Sequence, residues 1–312
     1  MQKVFFLLLF LLFTGLNSNA QDFEKVDALV SLYPNRVDSP EVLAKFIARD
    51  FKKPMDQLRA AYSWLIHNIE YDPQEYYKFK FQYRILEERN QKTAASREMI
   101  IKRTVQNGRA VCEGYALTLE RLCELLDING YVVRGDTKTR VSDIERSFDK
   151  NHMWMVAVLD QKAILLDPTW GAGRYDERFI KAPSYFYFNT AHELFLNTHM
   201  PEVFADAYVP FKLSRENFSK RPLLILKDLK HKDVLPKSGV LRAKELAKGI
   251  RFAFPYNTPS KVYYVIDNAA KQPVDFEADG NLIRFDIATK EKGSSLVIYA
   301  DEQPIIGYKI KK

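Results

Sequence analysis

Cysteine is scarce: two residues, Cys112 and Cys123, in a chain of 312. Glycine and proline are also few, at 12 and 14, which excludes collagen-like and low-complexity architectures. Past the first twenty residues no apolar run approaches membrane-spanning length. The single long run, Val4–Phe13, is too short to cross a bilayer as a helix. The five histidines, at 67, 152, 192, 199 and 231, lack the spacing of a zinc site, and His192-Glu193 has no histidine following at helical distance. No metal or other cofactor is therefore expected. A glycine-rich phosphate loop is also missing. Lys and Arg outnumber Asp and Glu by 47 to 40, yet the two signs interleave, as in Glu87-Glu88-Arg89 and Lys290-Glu291-Lys292. Without a clustered basic stripe or a base-stacking motif, nucleic acid is not an expected partner.

What is present begins with a leader. Met1-Gln2-Lys3 is basic, an apolar run follows, and Ser18-Asn19-Ala20 is a small-x-small cleavage signature. Residues 1–20 read as a signal peptide, so the mature chain is expected to be secreted or periplasmic, with no transmembrane segment after cleavage. The 46% apolar content can bury a sizeable core in one large or two ordinary domains.

Export raises the question of a disulfide. Cys112, Tyr115, Ala116, Leu119, Leu122, Cys123 and Leu126 follow helical three-and-four spacing, which predicts one helix over Val111–Ile128 with Asn129-Gly130 as its stop. Eleven residues of helix separate the two sulfur-bearing residues by about 16 Å. A disulfide needs Cα atoms within about 7 Å, so both thiols are expected to be free. Cys123 lies on the apolar stripe as a small hydrophobe. Cys112 falls in the first turn, where helix N–H groups favour an anion and a nucleophilic thiolate. By position alone it is either a second buried thiol or a reactive one.

Along the chain, residues 21–40 read as an irregular arm, and Glu41–Phe51 and Pro54–Glu70 as helices. The stretch 74–91 has no clean period and reads as a covering loop or irregular helix, before a helix at Ser96–Val105. A short strand at Tyr131–Arg134 and two strands, His152–Leu159 and Lys162–Asp167, follow. Tyr185-Phe186-Tyr187-Phe188 reads as core. From Ile250 onward short β-type runs dominate, with Asp279-Gly280 as a hairpin turn. The fold class is α+β. The expected organisation is a signal peptide at 1–20, a main domain at 21–225 and a small β-sandwich at 226–312.

One constellation carries chemistry. A two-residue turn at Asp160-Gln161 sets Leu159 against Lys162 and, continued, Trp154 against Asp167 and His152 against Thr169. Parity then puts His152 and Asp167 on one face as diagonal neighbours about 7 Å apart at Cα. A thiol nucleophile needs a base, and the base needs an acceptor that fixes its tautomer. Cys112, His152 and Asp167 provide those three groups.

Gly108-Arg109-Ala110-Val111-Cys112-Glu113-Gly114-Tyr115, His152-Met153-Trp154 and Leu166-Asp167-Pro168-Thr169-Trp170 resemble the transglutaminase-like superfamily, closest to its kyphoscoliosis-peptidase and cytokinesis-protein subgroup. Tyr71-Asp72 after the Trp64 helix, the Tyr185–Phe188 run and His199-Met200-Pro201-Glu202 are similar too. The likeness covers about residues 40 to 222. It implies a papain-like core of N-terminal helices on an antiparallel sheet, with Cys112 as nucleophile, His152 as base and Asp167 as orienting acid. The activity implied is acyl transfer on peptide or glutamine-type amides through a thioester, with hydrolysis favoured over cross-linking. The protein or peptide substrate would be associated with the cell envelope. Arg109, Tyr115, Trp154 and Trp170 are candidate substrate contacts, Arg109 being either a guide for acidic substrates or a solvated loop charge. The Cys112 N–H is one oxyanion donor; no upstream residue matches a motif for the second. The alternative is a catalytically silent module of the same fold that binds envelope protein or glycan.

Overall fold

The computed structural model describes residues 23–79 and 86–312, so the leader at 1–20 lies outside the described residues. The chain mixes helix and sheet. Helix α1 (Phe23–Val30) occupies part of what the sequence suggests is an irregular arm. Eight residues make a marginal helix alone, so its partners must supply the stability. Val26 and Val30 are buried, and Asp27 accepts two hydrogen bonds, of 3.0 and 2.7 Å, from the Arg59 guanidinium. That guanidinium also lies 3.5 Å from the Tyr185 ring centroid. Helices α2 (Pro40–Asp50) and α3 (Pro54–Asn68) each carry proline in the first turn, where no N–H is required.

After the two-residue strand β1 (Glu70–Tyr71) comes α4 (Leu86–Asn107), which starts ten residues before the expected Ser96. Gly108 ends it with φ +66°, and the Arg36 guanidinium packs where a Cβ would project. Glycine is required there on both counts. Strand β2 (Arg109–Ala110) then pairs in parallel with β1 and delivers the chain to α5 (Cys112–Leu125). The stop of α5 is not Gly130 but Asp127, at φ +57°, with Ile128 N–H bonded to the Cys123 carbonyl at 2.9 Å. Asn129-Gly130 is thereby released into β3 (Asn129–Thr137), nine residues long against the four expected.

Strands β4 (His152–Leu159) and β5 (Lys162–Leu166) form the anticipated hairpin, with Leu159 opposite Lys162 and positive φ at Asp160 and Gln161. The ladder stops at Met155–Leu166. Asp167 therefore does not face Trp154, and Thr169 does not face His152. Asp167 donates its N–H to the Tyr187 carbonyl instead, and Pro168 opens helix α6 (Pro168–Ala172). The hairpin β6 (Gly173–Asp176) and β7 (Arg178–Lys181) follows, then the short helix α7 (His192–Phe195) and β8 (His199–Pro201). Strand β8 adds to β3, completing an antiparallel sheet of order β5-β4-β3-β8. Helix α5 packs on β3 and β4 over a core that includes Trp64, Leu119, Leu122 and Val156.

The rest of the chain builds two further sheets. The first holds β9 (Leu223–Leu224), β10 (Val240–Arg242), β12 (Val262–Ile266), β13 (Gln272–Val274), β16 (Ser295–Ala300) and β17 (Gln303–Lys311); the second holds β11 (Ile250–Pro255), β14 (Glu277–Asp279) and β15 (Leu282–Ile287). Phe252, Phe285, Ile298 and Tyr308 belong to one buried cluster fed by both sheets. The turn between β14 and β15 is Gly280-Asn281, one residue later than expected. Strand β9 already pairs with β17, so this region recruits chain at Leu223, before the expected start at 226. Among the described residues no helix is long and apolar enough to cross a membrane.

Candidate active site

Three elements meet around His152. Cys112 is the first residue of α5, half-buried and unpaired with Cys123. His152 is the first residue of β4, opposite Gly135 of β3. Asp167 caps α6: its Oδ1 accepts the N–H groups of Thr169 (2.9 Å) and Trp170 (3.0 Å). Its Oδ2 accepts a hydrogen bond from His152 Nε2 at 2.8 Å. With Nε2 engaged by the carboxylate, Nδ1 is the ring nitrogen left for the Cys112 thiol, which lies close enough to raise the imidazole's pKa. The structure thus brings His152 and Asp167 into direct contact, with Cys112 at the start of α5 near the imidazole. His152 and Asp167 meet through the α6 cap, not the extended ladder inferred from the sequence.

Electrostatics follow from burial. Desolvation by itself would favour the neutral imidazole of His152, but the Asp167 carboxylate and the hydrogen bonds to Asp167 and Cys112 outweigh it and raise its pKa. Desolvation likewise opposes the Asp167 charge. The two histidines and their hydrogen bonds overcome this and hold the carboxyl well below its ordinary range.

A fourth residue belongs to the cluster. His199, on β8, donates from Nε2 to the same Oδ2 of Asp167 at 3.0 Å and is wholly buried. Burial, the largest influence, lowers its pKa. Sequence reading notes His199 only as part of a family-like segment. No local signal places a three-residue strand beside β3. The Nε2 atoms of His152 and His199 and a carboxylate oxygen of Asp167 converge within 4.8 Å of one another. In this arrangement both imidazoles direct N–H toward the carboxylate, and a cation there would have to displace both protons.

Over 193 residues the chain is 27% identical to the kyphoscoliosis peptidase of Homo sapiens, a match covering 60% of this chain and 27% of that protein. The kyphoscoliosis peptidase of Mus musculus is 28% identical over 185 residues, covering 58% and 26%. The chain is thus similar to proteins of the transglutaminase-like superfamily. It spans about a quarter of the length of the curated relatives it matches. A solved TGase structure shares 16% identity over 57% of this chain and 40% of that one, with a TM-score of 0.30. No protein-family model matches the chain.

The expected substrate contacts separate into two groups. Tyr115 is fully buried and its hydroxyl donates to the Ile69 carbonyl at 2.7 Å, so it braces α5 and cannot meet a substrate. Trp154 is also buried, its ring 6.2 Å from His152 and 5.2 Å from His199. It forms the wall behind the histidines. Trp170 is only half-buried, with its ring 5.9 Å from His152 and 4.5 Å from His199. Arg109 is exposed, 3.9 Å from the Asp72 carboxylate. It lines a cavity of about 170 Å³ whose walls include Glu75, Thr104, Val111 and Glu113 but not Cys112. Tyr71, part of the family-like Tyr71-Asp72 segment, lies near Cys112, with its ring 5.9 Å from that of Tyr175. Burial, Cys112 and Tyr175 push the Tyr71 hydroxyl up to about 12.

Proposed function

We propose that the protein is an exported cysteine enzyme that hydrolyses peptide-type amides through a thioester. The observation that carries this reading is His152 standing between the Cys112 thiol and the Asp167 carboxylate. Having passed its proton to His152, the Cys112 sulfur attacks the amide carbonyl carbon. The oxyanion that forms accepts the Cys112 N–H. His152 Nδ1–H then protonates the departing amine as the C–N bond breaks, leaving a thioester on Cys112. The neutral imidazole takes a proton from water, whose oxygen attacks the thioester and releases the acid and Cys112. Trp170 and Arg109 contact the substrate from the rim.

In the same reading residues 1–20 are a cleaved signal peptide, 21–225 a transglutaminase-like domain with a papain-like core, and 226–312 an immunoglobulin-like β-sandwich. The substrate is a protein or peptide associated with the cell envelope. The peptidase names of the relatives support the reaction class, and the leader supports export. The test is peptide-library cleavage by the wild type beside Cys112→Ala. Cleavage products that vanish in the variant support the reading. Identical profiles, or none from either protein, overturn hydrolysis and leave the silent binding module.

A further inference from the structure

We infer that His199 is a positioning residue, whose Nε2–H fixes the Oδ2 of Asp167 toward His152 and withdraws part of that oxygen's charge from it. This rests on the reading of Cys112, His152 and Asp167 given above. Four donors converge on one buried carboxylate: Thr169 N and Trp170 N on Oδ1, His152 Nε2 and His199 Nε2 on Oδ2. The carboxylate has no free rotation, and each oxygen is shared between two donors.

His199 is held as firmly as the carboxylate it serves. Its ring stacks on Phe195 at 4.1 Å, with Trp170 at 4.5 Å and the Trp154 edge at 5.2 Å. The Thr198 hydroxyl is 2.9 Å from Nδ1. With Nε2–H donated to Asp167, the neutral ring accepts the Thr198 proton at Nδ1. The ring centroids of His152 and His199 are 5.7 Å apart, so two cations on one carboxylate would repel strongly. The charge resides on His152, which alone also meets Cys112, and burial keeps His199 neutral. The other titratable groups near the pair are the Tyr62, Tyr115 and Tyr187 hydroxyls around Asp167, and His192 and Asp206, which line the small void beside His199.

A hydrogen bond to an anion lowers its proton affinity and its pull on another cation. With His199 present, His152 releases its proton to a leaving amine more readily than it would beside an undivided carboxylate. The fold therefore spends a buried, neutral histidine on setting the basicity of its neighbour.

The test needs no substrate. Imidazole ¹⁵N shifts and the rate of Cys112 alkylation by iodoacetamide are followed against pH in the wild type, His199→Phe, His199→Gln and His152→Ala. Phenylalanine fits the aromatic surroundings and removes the donor; glutamine replaces the donor. His199→Phe should raise the pH at which His152 deprotonates by about one unit, and His199→Gln should return it toward the wild-type value. A His199→Phe profile superimposed on the wild type, or shifted downward, overturns the inference. So does a wild-type His199 that is doubly protonated at neutral pH, a measurement that stands even if the Phe variant fails to fold. His152→Ala separates the two claims: if alkylation keeps its wild-type pH profile without His152, the underlying catalytic reading falls, whatever His199 does.

Discussion

Asp167 is the residue on which the site turns, because both of its oxygens are saturated and neither can exchange roles. Asparagine there would fail in either orientation. With the amide nitrogen at Oδ2 it faces two imidazole N–H donors, and with the nitrogen at Oδ1 it faces the N–H groups of Thr169 and Trp170. Two buried donors lose their acceptor each way, so Asp167→Asn should lower unfolding free energy by about 2–4 kcal/mol. Urea denaturation near pH 7 measures this, and a variant as stable as wild type would contradict it. The His152 pair also has a pH signature. Its folded pKa stands above the ordinary 6.5, at about 10, so its contribution is complete below 6.5 and disappears as pH rises toward 10. Asp167 is depressed from 3.8, so its share is complete above 3.8 and fades as the solution turns more acidic. The stability difference between wild type and His152→Ala should therefore be greatest between pH 4 and 6.5 and shrink on alkaline titration. A difference that grows above pH 7 would reverse the assigned charge.

Among the elements, β8 shows how little chain is needed to complete the site. Three residues pair with β3, with Gly135 opposite Pro201 on one side and His152 on the other. A Cβ at Gly135 would lie 2.2 Å from the Met200 carbonyl oxygen and 2.4 Å from the Trp154 ring. Backbone cannot yield there without moving β8. Gly135→Ala should cost about 1–3 kcal/mol in stability and draw His199 away from Asp167, seen as a lower Tm together with a changed His199 ¹⁵N spectrum. An unchanged Tm would show that β8 shifts freely. Elements whose partners lie within the segment are readable from sequence. Helix α3 advertises its stripe, and the β4–β5 hairpin is set by a two-residue turn. Helix α1 and strands β8, β9 and β10 are not readable, because each is held by contacts made far along the chain.

At the scale of the whole molecule, Lys138 joins the four-stranded sheet to the segment that enters β9. It is almost wholly buried, with Nζ donating to the Phe218 and Arg221 carbonyls at 2.9 and 3.1 Å. Burial brings its pKa down from 10.5 to about 7. Lys138→Met would strand both carbonyls and should cost about 1–3 kcal/mol. Wild-type Lys138 is penalised as pH falls from 10.5 toward 7, because the unfolded chain then binds a proton that the folded one refuses. The gap between wild type and variant should accordingly widen as pH rises through that interval. A gap that narrows would mean that Lys138 is charged in the fold. The last strand reinforces this junction, with Lys309 Nζ donating to the Ile144 carbonyl at 2.9 Å.

Local periodicity and turn chemistry suffice for a chain of mixed helix and sheet, for the free thiols and for the β4–β5 hairpin, because those features depend on neighbours in sequence. They do not say where the ladder stops. Pro168 cannot extend the strand's hydrogen bonding, so Asp167 turns into a helix cap and reaches His152 from a different element than the alternation implies. Nor do they bring in His199, 32 residues beyond Asp167, or bury Tyr115 and Trp154 out of a substrate's reach. Those outcomes depend on which distant surfaces exclude water together, and only the assembled core decides that.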